Sequence, residues 1–179
     1  KKHIKIIELK NGNSLIALVP AWQGRVMTSS ADGDNGYSCG WINHKTVAME
    51  ELQPHMNAFG GEERLWLGPE GGQYSIYFKK GDEFIYDNWQ TPAFIDSEPF
   101  ETISINDTSA SFARETEFEN YSGAKFRIRI ERQVVLLGED EIRKHTGINT
   151  EGLKCVAYRS DNVLFNKGDN EWKKETGLL

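Results

Sequence analysis

The sequence has few cysteines and no long apolar run, and each shortage excludes a class of protein. Only Cys39 and Cys155 occur among 179 residues. Two cysteines so far apart in sequence do not match a disulfide-rich scaffold or the spacing of a zinc site. They could form one disulfide or remain as two free thiols. The longest apolar runs are only a few residues, so no transmembrane helix is expected.

Basic residues are also fewer than acidic ones. Lys and Arg number 21 against 27 Asp and Glu, which gives a net charge of −6 and a pI of about 5.3. A nucleic-acid partner is therefore not expected. The 38% apolar and 27% charged residues are typical of a chain that folds. Because there is no internal repeat or Pro/Ser-rich linker, residues 1–179 are predicted to form a single domain.

Motifs for metal and cofactor chemistry are missing as well. The segment from Asp32 to Asn35 resembles the start of a calcium loop, but an EF-hand needs glycine at the sixth position and glutamate at the twelfth, where Tyr37 and Asn43 stand. There is no P-loop, dinucleotide fingerprint or serine nucleophile elbow. The histidines show no zinc-ligand spacing: His3, His44, His55 and His145. No metal and no cofactor are therefore expected.

Alternation of apolar and polar residues dominates the rest of the chain and predicts antiparallel strands. Residues 3–9 and 14–19 flank the turn signal KNGN and predict a hairpin. Further strands are predicted at 24–30, 73–78, 92–96, 100–107, 109–119, 124–137 and 153–160. Within 124–137, Phe126, Ile128 and Ile130 share one face, whereas Arg127, Arg129 and Glu131 share the other.

Helical patterns are scarce. Short helices are predicted within 44–53 and within 138–147, the second ending at Gly147. Many strands and few helices predict an all-β fold, specifically a large antiparallel β-sandwich. The final Leu178-Leu179 resembles the beginning of a strand, so the chain is expected to be the front part of a longer domain.

The segment NAFGGEERLWLGPEGGQYSIYF, residues 57–78, combines two Gly-Gly pairs with charge and a tryptophan. An aromatic ring beside planar charged groups can bind a sugar, and Arg64, Trp66 and Glu70 supply both. The alternative is that Arg64 forms a structural ion pair beneath a turn. A further alternative is glycoside hydrolysis by two carboxylates among Glu62, Glu63 and Glu70.

Three stretches resemble the galactose-mutarotase-like superfamily. GGEERLWLGPE, residues 60–70, is similar to its glycine-rich segment, above all as it occurs in uncharacterised, envelope-associated members from Bacteroidetes. ALVPAWQGRVMTSS, residues 17–30, resembles its opening strands, and YRSDNVLFNKG, residues 158–168, resembles its N-H-x-Y-F-N segment. The resemblance implies a β-supersandwich fold, a small-molecule carbohydrate ligand and a periplasmic or envelope location.

The resemblance also implies roles for individual residues. Arg64 matches the arginine that contacts substrate, and Glu70 stands where family members have a histidine before Gly-Gly. Asn162 matches the histidine that is the general acid, and an asparagine side chain cannot exchange a proton near neutral pH. The family's general base lies late in the domain, beyond the end of this chain.

Aldose 1-epimerisation is therefore the reaction implied if the protein is an enzyme. The alternative is a non-catalytic module that binds carbohydrate or another protein. In the predicted site, Arg64 and Glu70 contact sugar hydroxyls, Trp66 or Trp89 offers a stacking face, and Asn162 donates a hydrogen bond. His55 precedes the glycine-rich segment by two residues and completes the set.

Overall fold

The computed structural model describes residues 4–49 and 51–177, and within them two antiparallel sheets carry the fold. The three-stranded sheet has the order β1-β2-β3, and the four-stranded sheet has the order β4-β5-β6-β7. The strands are β1 Ile7–Asn11, β2 Ser14–Val19, β3 Arg25–Ser30, β4 Glu101–Ile105, β5 Ser109–Glu119, β6 Lys125–Leu136 and β7 Tyr158–Asn166.

The predicted first hairpin is confirmed. Strands β1 and β2 pair in the register that places Ile7 opposite Leu18 and Asn11 opposite Ser14. Gly12 adopts the left-handed conformation that this turn requires, with φ of 59°. The buried side chains of β1, Ile7 and Leu9, alternate with exposed ones.

The predicted faces of β6 are also confirmed. Phe126, Ile128 and Ile130 are buried, and Arg127 and Arg129 lie on the opposite, wetter face. That outer face carries cross-strand charge pairs with β5, including Arg129–Glu115 at 3.9 Å.

The buried faces of the two sheets pack on each other. One hydrophobic cluster joins Leu9, Ile16 and Leu18 of the first sheet to Phe112 and Ile128 of the second. The sheets approach so closely that a Cβ on Gly24 would lie 2.5 Å from the Phe112 ring. The prediction of an antiparallel β-sandwich is therefore confirmed at this level.

Helices occupy only connections between strands. They are α1 His44–Ala48, α2 Ala93–Asp96 and α3 Glu139–Thr146, with 3-10 turns at Pro20–Trp22, Gly33–Asn35 and Tyr86–Asn88. The two predicted helices are confirmed as α1, which is shorter than predicted, and α3. Gly147 ends α3 with φ of 72°. No helix in the described ranges is long and apolar enough to cross a membrane.

Two strand predictions are wrong. Residues 73–78 form bends, because their backbone bonds to turns rather than to a ladder: Ser75 N–H donates to Gly72 and Tyr77 N–H donates to the Ser75 hydroxyl. Residues 92–96 contain the helix α2 instead. Phe94, Ile95 and Asp96 are buried, and a helix of four residues is too short to show a periodic pattern.

Three further predictions concern the chain's later part and its cysteines. The strand predicted at 153–160 begins at Tyr158 and continues to Asn166, as β7. Leu178-Leu179 lies outside the described residues. Cys39 and Cys155 are both free, the first exposed and the second half-buried.

The two Gly-Gly pairs of the glycine-rich segment have different roles. Gly60 and Gly61 have φ of 89° and 106°, and added Cβ atoms would lie 2.3 Å from the Trp41 carbonyl oxygen and 2.9 Å from that of Val26. The backbone at Gly61 therefore lies against β3, and the backbone at Gly60 lies against the connection that follows β3. Gly71 has open space around it and no positive φ.

We expect Gly61→Ala to destabilise the fold by about 1–3 kcal/mol, because the new methyl group meets Val26 and the φ is strained for any other residue. Gly71→Ala is the matched control and should leave the free energy of unfolding almost unchanged. Urea unfolding of both variants tests this. Equal stabilities would contradict the close approach of Gly61 to β3.

Candidate functional site

The glycine-rich segment is fixed to the edge strand β3 by backbone hydrogen bonds. Val26 N–H donates to the Glu63 carbonyl at 3.0 Å, and Glu62 N–H donates to the Val26 carbonyl at 2.8 Å. This bridge determines where Arg64 lies, because Arg64 directly follows Glu63.

Arg64 presents a guanidinium with open donors. Its Cζ atom lies 3.9 Å from the centroid of the Trp66 ring, within range of a cation–π contact. Its Nη1 forms an ion pair with Oδ1 of the buried Asp96 at 3.8 Å, a distance longer than a hydrogen bond. Among the described residues nothing accepts a hydrogen bond from this guanidinium, and the side chain is 24% exposed. The pKa of Arg64 is lowered by burial, and the nearby Asp96 opposes this effect only in part.

Glu70 binds the N–H edge of the Trp66 indole, whereas Arg64 lies over the ring face. Trp66 Nε1 donates to Glu70 Oε1 at 2.9 Å, and Glu70 is exposed to solvent. The second carboxylate oxygen of Glu70 has no partner among the described residues. A hydrogen-bond donor and an acceptor thus flank one tryptophan.

Tyr77 extends this arrangement into an aromatic row. Its ring lies 5.3 Å from that of Trp66 and 4.5 Å from that of Trp89, the second pair being stacked. The Tyr77 hydroxyl donates to the Leu67 carbonyl at 2.5 Å. Burial, with Glu70 adding to it, raises the pKa of Tyr77.

His55 lies at the far end of the row. One of its ring nitrogens, Nδ1, is 2.7 Å from the Trp89 carbonyl oxygen, and its ring is 4.8 Å from that of Tyr86. Tyr86 is 70% exposed. We call this connected set the Arg64 platform: His55, Arg64, Trp66, Glu70, Tyr77 and Trp89.

Asn162, the sixth predicted site residue, lies in a separate network. It occupies β7, where its Oδ1 accepts from Arg132 Nη1 at 2.9 Å. Arg132 is fully buried and forms a two-pronged ion pair with Glu63, whose Oε1 also accepts from Ser160 at 3.1 Å. The structure therefore brings five of the predicted residues together and places Asn162 with Arg132.

Glu62 and Glu63 are both engaged in internal contacts. Glu62 Oε1 accepts from the backbone N–H of Ser29 at 2.7 Å and from its hydroxyl at 3.0 Å. Its Oε2 accepts from the Tyr158 hydroxyl at 3.2 Å. Burial raises the pKa of Tyr158, as does Glu62. Of the three carboxylates considered for hydrolysis, only Glu70 keeps an open oxygen.

Three charged residues beside the site were not predicted from sequence. They are Asp96, Arg25 and Arg132. Asp96 accepts hydrogen bonds from the backbone and side-chain amides of Asn57 at 3.0 and 2.7 Å. Arg25 and Arg132 are buried. The alternating pattern could have identified Arg132, because it continues the buried face of Ile128 and Ile130. Arg25 begins a strand of largely buried residues and carries no periodic signal.

Within the platform Tyr77 is buried, whereas the other members are half-buried or exposed. A cavity of about 990 Å³ lies elsewhere, between the β5–β6 hairpin and residues 166–176, with Phe118, Phe126 and Trp172 among its lining residues. Its charged rim is balanced between Lys/Arg and Asp/Glu and offers no defined ligand chemistry. Within residues 4–49 and 51–177, no three His, Cys, Asp or Glu side chains are grouped to hold a metal ion.

Comparison with known proteins gives one match. A family model described as "Family of unknown function (DUF6786)" matches residues 1–179. No curated protein and no solved structure matches the chain.

We expect Glu63→Gln to lower the free energy of unfolding by roughly 2–3 kcal/mol, because it leaves the buried Arg132 cation without its carboxylate. Glu117→Gln, on the exposed face of β5, is the control and should have little effect. Urea unfolding measures both. If the two substitutions prove equally mild, the buried pair does not stabilise the sandwich.

Proposed function

The chain belongs to the DUF6786 family, whose function is unknown, and we propose that it binds a small-molecule carbohydrate at the Arg64 platform. The observation that carries the proposal is the guanidinium of Arg64. It is a half-buried cation, stacked on Trp66, that has no hydrogen-bond acceptor among the described residues. These donors reach the surface, where they are free to bind an acceptor from outside the chain.

Glu70 makes the platform suitable for a diol. Sugar hydroxyls both donate and accept, and neighbouring hydroxyls can accept from Arg64 while donating to the free oxygen of Glu70. Both groups are fixed by the same Trp66 ring, so little side-chain freedom is lost on binding.

The stacking surface differs from the one expected. Arg64 covers Trp66 and Tyr77 stacks on Trp89, so each ring already has a packed neighbour. Tyr86, beside His55, has the more accessible ring.

We extend the proposal to membership of the galactose-mutarotase-like superfamily. Its support is the antiparallel sandwich, together with the motif-like segments at 60–70 and 158–168. The proposed role is binding without epimerisation. The Asn162 amide cannot act as a general acid near neutral pH, and its oxygen accepts from Arg132.

A protein-binding role is a second candidate. It is favoured by two large aromatic side chains in the connection after β3, Tyr37 at 85% and Trp41 at 66% exposed.

Sugar binding is tested by titrating ¹⁵N-labelled protein with methyl glycosides of common hexoses. We expect the indole N–H signal of Trp66 to shift, with a dissociation constant on the order of 1 mM. Arg64→Ala should remove the shift and stay folded, because Asp96 keeps its hydrogen bonds to Asn57.

Arg127→Ala is the matched control, because this arginine lies on the outer face of β6 and is 56% exposed. It should bind sugar as the wild type does. Unfolding of Arg64→Ala would show that Arg64 is a structural ion-pair residue. If no glycoside moves the wild-type Trp66 signal, the proposed function is wrong.

Polarimetry tests the absence of epimerisation. We expect freshly dissolved α-glucose and α-galactose to mutarotate at the buffer rate in the presence of this chain, since the residue at the general-acid position is Asn162. An accelerated rate that Arg64→Ala abolishes would instead identify an aldose 1-epimerase-like enzyme with a different acid.

A further inference from the structure

Strand β7 is an edge strand, because only β6 pairs with it among the described residues. The two ends of the ladder show which backbone groups face β6: Lys167 N–H donates to the Arg127 carbonyl, and Leu137 N–H donates to the Ala157 carbonyl. Backbone direction alternates along an antiparallel strand, so the odd-numbered residues of β7 face β6. The even-numbered residues point their N–H and C=O groups to the open side: Tyr158, Ser160, Asn162, Leu164 and Asn166.

This open side lacks the features that usually block pairing at a sheet edge. Its backbone groups form no hydrogen bond within residues 4–49 and 51–177. The strand is nine residues long, contains no proline or lysine, and pairs with β6 without a bulge. The other outer strand of the same sheet, β4, is five residues long and irregular between Thr102 and Ser104. Strand β7 is therefore the long, unprotected edge of this sheet.

The side chains of β7 make the edge both rigid and partly apolar. On the inner face, the Ser160 hydroxyl donates to Glu63 at 3.1 Å, and Asn162 accepts from Arg132 at 2.9 Å. Because these contacts already fix the strand, little backbone freedom is lost when another strand pairs with it. On the outer face, Val163 and Phe165 are large apolar side chains exposed to solvent.

The sequence of β7 is complementary to itself in an antiparallel pairing centred on Asn162. The whole strand then overlaps with a second copy, and every open N–H and C=O meets a partner. Arg159 faces the partner's Phe165 across the junction. Asp161 faces the partner's Val163. No like charges lie opposite each other, and both exposed apolar side chains are covered.

The neighbouring registers are disfavoured by charge. Centring the pairing on Asp161 places this carboxylate opposite the partner's Asp161. Centring it on Val163 places Arg159 opposite the partner's Lys167. Like charges directly opposite each other destabilise a strand pair. Moving the centre by two residues in either direction leaves almost half of each strand unpaired, so the pattern selects the register centred on Asn162.

We propose that β7 is a dimerisation edge, at which a second copy of this chain pairs antiparallel about Asn162. The two four-stranded sheets become one continuous sheet across the two-fold axis. The inference is independent of the proposed sugar binding, because no residue of the Arg64 platform lies on β7.

Sedimentation equilibrium of the chain tests the dimer. We expect a monomer of 20.4 kDa in equilibrium with a species of twice that mass. The dissociation constant should be on the order of 10 µM, as befits an interface formed by one strand from each copy.

Hydrogen exchange followed by NMR locates the interface. The amides of Ser160, Asn162 and Leu164 should exchange roughly fivefold more slowly at high protein concentration than at low concentration, because dimer formation bonds them. The amides of Arg159 and Asp161 already face β6, so their exchange should not depend on concentration.

Val163→Asp is the decisive variant, because each copy then places a new carboxylate opposite the partner's Asp161. We expect the dissociation constant to rise about tenfold. Val163→Lys places opposite charges there and should dimerise about as tightly as the wild type. Ile148→Asp, at an exposed apolar position after α3, is the control and should not change dimerisation. Thermal melts check that each variant is folded.

The outcomes that overturn the inference are distinct. A single 20.4 kDa species at the highest concentration would do so. If the even-numbered amides are then protected at every concentration, a segment of the same chain covers the edge instead. A dimer whose β7 amides exchange at one rate throughout has its interface elsewhere. Equal weakening by Val163→Asp and Val163→Lys would contradict the register, and if Val163→Asp does not fold, exchange in the wild type decides.

Discussion

The buried ion pair between Arg132 and Glu63 joins the parts of the molecule on which the site depends. Arg132 projects from β6 into the core, and Glu63 lies in the glycine-rich segment that is bonded to β3. The pair therefore ties the four-stranded sheet to the segment that carries Arg64. Because Asn162 and Ser160 complete its hydrogen bonds, β7 is held by the same contact.

Glycine makes this arrangement possible. The segment pairs with the edge strand β3 just before Glu63 reaches Arg132, and Gly61 permits this approach because an added Cβ would lie 2.9 Å from the Val26 carbonyl oxygen. Close approach in turn encloses Arg25 and leaves its guanidinium short of acceptors. The close approach at Gly61 thus accounts both for the attachment of the segment to β3 and for the burial of Arg25.

The sequence predicted the elements whose periodicity is strong, such as the first hairpin and the alternating faces of β6. It failed at residues 73–78, where the backbone bonds to turns, and at residues 92–96, where the helix is too short to show a period. The contacts among Arg64, Trp66 and Glu70 could be expected because the three are close in sequence. Tyr77 as the link to Trp89, and Arg25 as the buried cation, depend on tertiary packing that no local pattern encodes.

We propose that the donors of Arg64 belong to a carbohydrate site. The most direct measurement is a crystal structure of the protein soaked with a mixture of monosaccharides. We expect sugar density with oxygen atoms about 3 Å from the Arg64 guanidinium and from Glu70. An empty platform with Arg64 closed onto Asp96, or density only in the cavity beside Trp172, would contradict it.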